Sequence, residues 1–311
     1  MYRGVEVPGR WAKGRYIALF AKTPRGIVCP SFWEFKPFTG CPFSCSYCYL
    51  QGTFYGNKAP RAKDFTQAAR ELDEFLTWAD HHGLRLLLNT GELADSLAVP
   101  AWTERLIKLI TPVLERHHRL LLLSKAGLRH IKPLLDHSLQ DRVVVSFSLN
   151  PPKVAERYEV GAAPPEERVK AAALLEQEGY TVRVRVDPMI PVEGWRVHYY
   201  MLLAALLAEL SPERVTLGTL RGLRKTLRFA GDRSWARFLR ERTGWGLKLE
   251  GRLRAEMYRL AITCLRELGY KGPIALCKET EGTWMKLHRE GLLPHPGKRG
   301  AWQRVRCNCQ P

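Results

Sequence analysis

From Asp64 to Leu217 the chain alternates apolar strand-like runs with amphipathic helical stretches, and that alternation narrows the possible folds more than any other feature. The first helix starts near Asp64, a suitable N-cap, with Ala68, Leu72, Phe75 and Leu76 on one face. Gly83 ends it, and a strand is expected over 84–88. The same pattern predicts a helix from about Trp102 to His117, a strand over 119–123, a short helix after Ala126 and a strand over 142–147. A helix over 165–177 ends at Gly179, before a strand over 181–186, a helix over 197–210 and a strand over 214–217. Strands separated by helices pair in parallel, so the expected class is α/β with a parallel sheet. Periodicity alone leaves a doubly wound layer and a barrel both open. In either, ligands gather at the C-terminal ends of the strands. There the sequence places Asn89-Thr90-Gly91-Glu92, Ser124-Lys125, Ser148-Leu149-Asn150, Asp187-Pro188 and Gly218-Thr219.

The flanks differ. Residues 1–30 form a basic, Gly- and Pro-rich N-terminal segment, and a β-type run over 32–38 leads into a cluster of cysteines. Residues 31–220 hold the alternating body, and residues 221–311 form a basic C-terminal extension. Within it a helix is expected over about 250–268 and a strand over 274–276 ending at Cys277, and the chain closes on Cys307-Asn308-Cys309. A formal charge of +18 calls for a polyanionic partner, nucleic acid first and an anionic membrane surface second; the plainer alternative is an Arg-rich solvated surface. No apolar run is long enough to span a membrane and no apolar signal core opens the chain, so a cytoplasmic protein is expected. Eight cysteines in a reducing compartment point to metal binding or catalysis rather than disulfides.

The chemistry concentrates in Gly40-Cys41-Pro42-Phe43-Ser44-Cys45-Ser46-Tyr47-Cys48-Tyr49-Leu50. Three thiolates this close, on a loop after a strand, can wrap one cluster, which a regular helix could not do. Three ligands leave one iron of a [4Fe–4S] cluster open. An open iron can chelate the amino and carboxylate groups of S-adenosylmethionine (SAM), and one electron then yields a 5′-deoxyadenosyl radical. Structural zinc is the alternative, but it wants four closed ligands.

The CxxxCxxC triplet is the hallmark of the radical SAM superfamily, and Cys45-Ser46-Tyr47-Cys48-Tyr49-Leu50-Gln51 resembles spore photoproduct lyase and its relatives. The likeness extends more loosely over about residues 30–220, through Ser148-Leu149-Asn150, Pro188-Met189-Ile190 and Glu193-Gly194-Trp195. It implies a partial (β/α)6 TIM-type barrel, with the cluster on the loop after the first strand and Tyr47 against the adenine of SAM. It also implies an electron donor such as flavodoxin or ferredoxin. At the end of the second strand, Thr90, Gly91 and Glu92 stand where the superfamily binds the methionine ammonium. Lys125 could pair with the SAM carboxylate, and Ser148 and Asn150 with the ribose; each could instead merely cap the following helix. Arg183, Arg185 and Asp187 share one strand face, for ligand or for a salt bridge.

Spore photoproduct lyases carry a hydrogen-donating cysteine at the end of the second strand, helped by tyrosines near the cluster. Here that place holds Asn89 or Thr90, while Tyr47 and Tyr49 remain. Cys277 is the candidate replacement. Alternatively Cys277, Cys307 and Cys309, with Cys29 as fourth ligand, hold an auxiliary iron–sulfur cluster or a zinc, or are inert. Cys264 lies on an apolar helix face and reads as core.

Residues 220–254 carry eleven Lys or Arg against three Asp or Glu. Arg221, Arg224, Lys225, Arg228, Arg233 and Arg237 are the candidate phosphate contacts, followed by Arg240 and Arg242, with Trp235, Phe238 and Trp245 available to stack on unpaired bases. An amphipathic helix burying those aromatics is the competing reading. The function expected is radical chemistry that repairs or modifies a nucleic-acid base, DNA ahead of RNA. A radical enzyme acting on a peptide or small molecule, and a basic nucleic-acid-binding protein with structural zinc, are the alternatives.

Overall fold

The computed structural model describes residues 2–111 and 117–311. Its centre is one sheet in which eight strands lie side by side in chain order. They are β1 (Ile17–Phe20), β2 (Phe32–Phe35), β3 (Leu87–Asn89), β4 (Arg119–Ser124), β5 (Val143–Ser148), β6 (Thr181–Met189), β7 (Val215–Thr219) and β8 (Ile274–Leu276). β1 pairs antiparallel with β2, and every later neighbour is parallel. The sheet curls into a half-barrel. β2 to β7 with their helices make the expected six-stranded partial barrel, and β8 from the extension prolongs it.

The connecting helices are α1 (Phe65–His81), α2 (Pro100–Ile110), α3 (Pro152–Tyr158), α4 (Pro165–Gln177) and α5 (Trp195–Glu209). They are followed by α6 (Arg224–Phe229), α7 (Gly251–Glu267) and α8 (Glu281–Arg289). Local chemistry accounts for their limits. Asp64 caps α1 by accepting from the backbone N–H groups of Thr66 and Gln67 at 2.8 and 3.1 Å. Gly179 takes the left-handed backbone that turns the chain from α4 into β6. The helix expected from about Trp102 to His117 is seen as α2, and residues 112–116 lie outside the described residues.

Every residue of β5 is buried, as befits a parallel strand covered on both faces. Burying each large apolar side chain is worth about 1.5–3 kcal/mol. A second core, around Trp33, Phe75 and Leu76, packs α1 against the β1 edge. Cys264 sits in the main core, on α7. No helix among the described residues is long and apolar enough to cross a membrane.

Two features bring the chain ends to the barrel. Ile27 and Val28 pair antiparallel with Thr280 and Glu279, which joins the segment before β2 to the segment after β8. The C-terminal tail enters the half-barrel. Asn308 N donates to Thr216 Oγ1 at 3.0 Å, and Arg183 Nη1 donates to the carbonyls of Asn308 and Gln310 at 2.6 and 2.9 Å.

Candidate active site

Cys41, Cys45 and Cys48 lie on the loop after β2 and line one cavity of about 110 Å³. The loop is held by backbone bonds: Gly40 N donates to Leu93 O at 2.8 Å, and Cys41 N to Lys58 O at 2.8 Å. Gly40 has a positive φ of 78°, and an added Cβ would stand 2.2 Å from Ala59 O, so only glycine fits. Lys58 Nζ donates to the Cys41 carbonyl at 3.1 Å and also to that of Phe43.

The one carboxylate among the lining residues of that cavity, Asp95, is already engaged. It accepts from Ser124 Oγ at 2.6 Å and from the N–H groups of Lys125 and Leu97 at 2.7 and 3.1 Å. Three sulfurs remain as free ligands, which suits a [4Fe–4S] cluster with one open iron. Burial pushes the thiols of Cys41, Cys45 and Cys48 up, so their ionisation calls for a bound cation.

A larger cavity of about 350 Å³ shares walls with this one at Tyr47, Cys48, Tyr49, Gly91, Leu123, Lys125 and Ser148. Its remaining lining includes Glu92, Arg185, Asp187, Arg221, Lys278, Phe20 and Trp245. It lies at the C-terminal ends of the strands, as expected. Gly91 is required at its wall, since an added Cβ would meet Leu123 Cβ at 2.5 Å.

Beneath the cavity a buried acid organises the site. Glu159 follows α3 and pairs through the backbone with Cys45. Its carboxylate accepts from Lys125 Nζ at 3.0 Å, from Asn150 Nδ2 at 2.8 Å and from the Tyr47 hydroxyl, and forms an ion pair with Arg168 Nη1 at 2.6 Å. Burial alone would raise its pKa, but Lys125 and Arg168 outweigh burial and bring it down to about 2. Sequence reading missed Glu159. It stands between two helices with no periodic signal, and only its place shortly after the Ser148–Asn150 strand end hinted at it.

The cavity gathers many of the expected residues but not all. Tyr47, Tyr49, Gly91, Glu92, Lys125 and Ser148 line it. The tyrosine hydroxyls are both engaged, Tyr47 with Glu159 and Tyr49 with the Glu92 carbonyl. Glu92 is paired with Lys278 Nζ at 2.7 Å. Thr90 does not line the cavity; its hydroxyl bonds Ser96 Oγ at 2.8 Å and Leu121 O at 3.0 Å. Asn150 is turned inward, between Glu159 and the Tyr199 hydroxyl. Arg185 and Asp187 face the cavity, whereas Arg183 reaches Glu213 at 2.5 Å and the tail, because its register places it deeper on the same strand face.

Cys277, a candidate hydrogen donor, does not line the large cavity. It faces a separate void of about 20 Å³ together with Cys29, Cys307 and Cys309, and Glu92, Arg185 and Lys278 stand between the two spaces.

The basic segment divides. Arg221 is withdrawn from solvent: it pairs with Asp187 at 2.7 Å and donates to Cys277 O at 2.8 Å. Asp187 is buried, yet Arg221 and Arg185 hold its carboxyl far below the usual range. Arg224, Lys225, Arg228, Arg233 and Arg237 are exposed. Trp235 is fully buried in the core, and Phe238 packs partly against it. Trp245 lines the cavity beside Phe20.

The family model for spore photoproduct lyase matches residues 33–221, more than half of the chain. The spore photoproduct lyase of Bacillus subtilis (strain 168) is 28% identical over 174 residues, covering 55% of this chain and 50% of that protein. That of Clostridium acetobutylicum is 25% identical over 171 residues, covering 53% and 48%. The match thus spans about half the length of these curated relatives. A solved spore photoproduct lyase variant with bound AdoMet and dinucleoside spore photoproduct superposes with a TM-score of 0.66 at 18% identity, covering 78% of this chain and 75% of that one. That likeness is one of fold. With the cysteine loop, the half-barrel and the family match taken together, this chain belongs to the spore photoproduct lyase family of the radical SAM superfamily.

Proposed function

We propose that this protein is a radical SAM enzyme that repairs or modifies a nucleic-acid base, DNA ahead of RNA, by chemistry like that of spore photoproduct lyase. The observation that carries the reading is the shared wall between the three-thiol cavity and the larger charged cavity. Cys41, Cys45 and Cys48 would hold a [4Fe–4S] cluster, which when bound would supply the one-electron reduction that reductive SAM cleavage needs.

The chain's own residues then position the reactants. Gly91 gives the methionine end of SAM close backbone approach, and Glu92 and Lys125 offer opposite charges to its ammonium and carboxylate. Ser148 faces the ribose, with Thr90 and Asn150 supporting the strand ends from behind. Tyr47 and Tyr49, between cluster and cavity, are the aromatic contacts and the candidates for a radical relay. Phe20 and Trp245 offer flat apolar surface to an extruded base. On this reading residues 31–220 form the catalytic half-barrel and residues 221–311 its nucleic-acid-facing extension. Arg224, Lys225, Arg228, Arg233 and Arg237 would meet phosphates. An external donor of the flavodoxin or ferredoxin type would deliver the electron, in the cytoplasm. A solved relative is described with AdoMet and a dinucleoside photoproduct bound, which supports the choice of ligands.

The test is anaerobic reconstitution, with iron, sulfide and reductive SAM cleavage measured in the presence and absence of photoproduct-containing DNA. About four irons on the triplet and 5′-deoxyadenosine formation are expected, with turnover of the lesion. Binding to DNA that does not respond to salt would remove the nucleic-acid substrate and leave a peptide or small molecule.

A further inference from the structure

Four of the cysteines outside the triplet come from three remote parts of the chain, yet Cys29, Cys277, Cys307 and Cys309 line the same small void. The fold brings them there by design of its pairing. The ladder between Val28 and Glu279 sets Cys29 beside the end of β8, where Cys277 N donates to Leu217 O at 2.7 Å. The tail delivers the other two. Asn308, between them, bridges Thr216 on β7 and Ser146 on β5, so its flanking cysteines are fixed on the barrel's inner face.

The void distinguishes what could bind. Its volume of about 20 Å³ is room for roughly one water-sized body. The cavity at the triplet is about 110 Å³, several times larger. Four thiols around a single-ion space are the donor set of structural zinc, whereas three thiols around a larger space suit a cluster.

Two of the four sulfurs also have N–H donors aimed at them, while the Cys29 thiol donates to Pro30 O at 3.8 Å. Arg185 Nη2 donates to Cys277 Sγ at 3.2 Å, and Asn89 Nδ2 to Cys309 Sγ at 3.5 Å. A neutral thiol is a poor acceptor for a guanidinium, and a metal-bound thiolate is a good one. Among the described residues no three His, Cys, Asp or Glu side chains already stand at single-ion spacing, and this holds for the triplet as much as for the second set. Drawing the four thiols inward therefore accompanies binding.

We propose that Cys29, Cys277, Cys307 and Cys309 bind one zinc ion that latches the C-terminal tail and the segment before β2 to the end of β8. The latch holds the wall formed by Glu92, Arg185 and Lys278, which the void shares with the large cavity. It is structural, involves no redox step, and stands independently of the radical reading.

The test is zinc and iron content of the full-length chain, purified anaerobically as wild type, as the Cys41→Ala/Cys45→Ala/Cys48→Ala variant and as the Cys307→Ser/Cys309→Ser variant. About one zinc is expected in the first two and none in the third. Because the tail variant could misfold, cobalt is also exchanged into the wild-type protein. Tetrahedral thiolate charge-transfer bands, with these four thiols protected from alkylation, are expected. Absence of zinc from the wild type, iron lost with the tail cysteines, or cobalt bands without thiolate character would each overturn the proposal. Loss of SAM cleavage in the triplet variant with zinc retained leaves the latch standing whatever the fate of the radical reading.

Discussion

Glu92 Oε1 and Lys278 Nζ stand 2.7 Å apart and join the residues that follow β3 to the end of β8, with both side chains lining both the large cavity and the thiol void. Burial would raise the Glu92 carboxyl, and Lys278 first among its neighbours brings it below the usual range. A ligand ammonium must therefore share Glu92 with an existing cation. Glu92→Gln should weaken SAM binding by about 1.5–3 kcal/mol, the worth of a charged hydrogen bond. Equilibrium binding to the reconstituted protein measures this, and unchanged affinity would remove Glu92 from the SAM site.

Glu159 is a charged hub with no solvent contact of its own. Glu159→Gln would leave Lys125 and Arg168 buried without their counter-ion and should cost about 3–5 kcal/mol of stability. Urea denaturation would show it. The sign with pH is definite: a carboxyl lowered to about 2 contributes stability above the unfolded value near 4.3, lost as pH falls toward 2.

Gly91→Ala tests packing at the cavity wall. Its Cβ would meet Leu123 Cβ at 2.5 Å, an overlap that should cost about 1–3 kcal/mol and displace the wall. Adding Leu123→Ala does not remove the clashing Cβ, whereas Leu123→Gly does. Recovery of SAM affinity only in the glycine double variant is the expected outcome.

Glu34 on β2 behaves oppositely to Glu159. Burial first, then repulsion from Glu92, raise its carboxyl to about 7, against the opposing pull of Lys36. The folded chain thus keeps a proton that the unfolded chain releases near pH 4.3. Stability should fall between about pH 4.3 and 7 and level off above that. Denaturation midpoints across this range should lose this slope in Glu34→Gln.

The exposed basic residues and Arg221 should separate in DNA binding. Arg224→Ala, Lys225→Ala and Arg228→Ala, on the short α6, should each reduce the salt slope of DNA binding by about 1 without unfolding the chain. Arg221→Ala should leave that slope nearly intact and destabilise the fold, because it removes one of the two guanidinium partners of buried Asp187, leaving Arg185 alone, and takes the donor from Cys277 O. Equal slopes in all four variants would place the DNA surface elsewhere.

The local code of the sequence determined the strand–helix order, the cap at Asp64, the turn at Gly179 and the thiol loop of Cys41, Cys45 and Cys48. Each of these rests on residues a few positions apart, where periodicity, backbone freedom and ligand spacing act directly. Ligand-facing strand ends were legible for the same reason, since side chains alternate along a strand and loops follow it. Tertiary structure alone decided that Glu159 neutralises Lys125 and Arg168, that Arg221 turns inward to Asp187 while its basic neighbours stay in water, and that Trp235 is core while Trp245 faces the cavity. It alone decided that the tail threads the half-barrel and brings Cys307 and Cys309 to Cys29 and Cys277. These contacts join residues far apart in the chain. Burial makes an unpaired charge or thiolate costly, so such groups are settled by whichever partner the completed fold sets against them, and no local pattern records that partner.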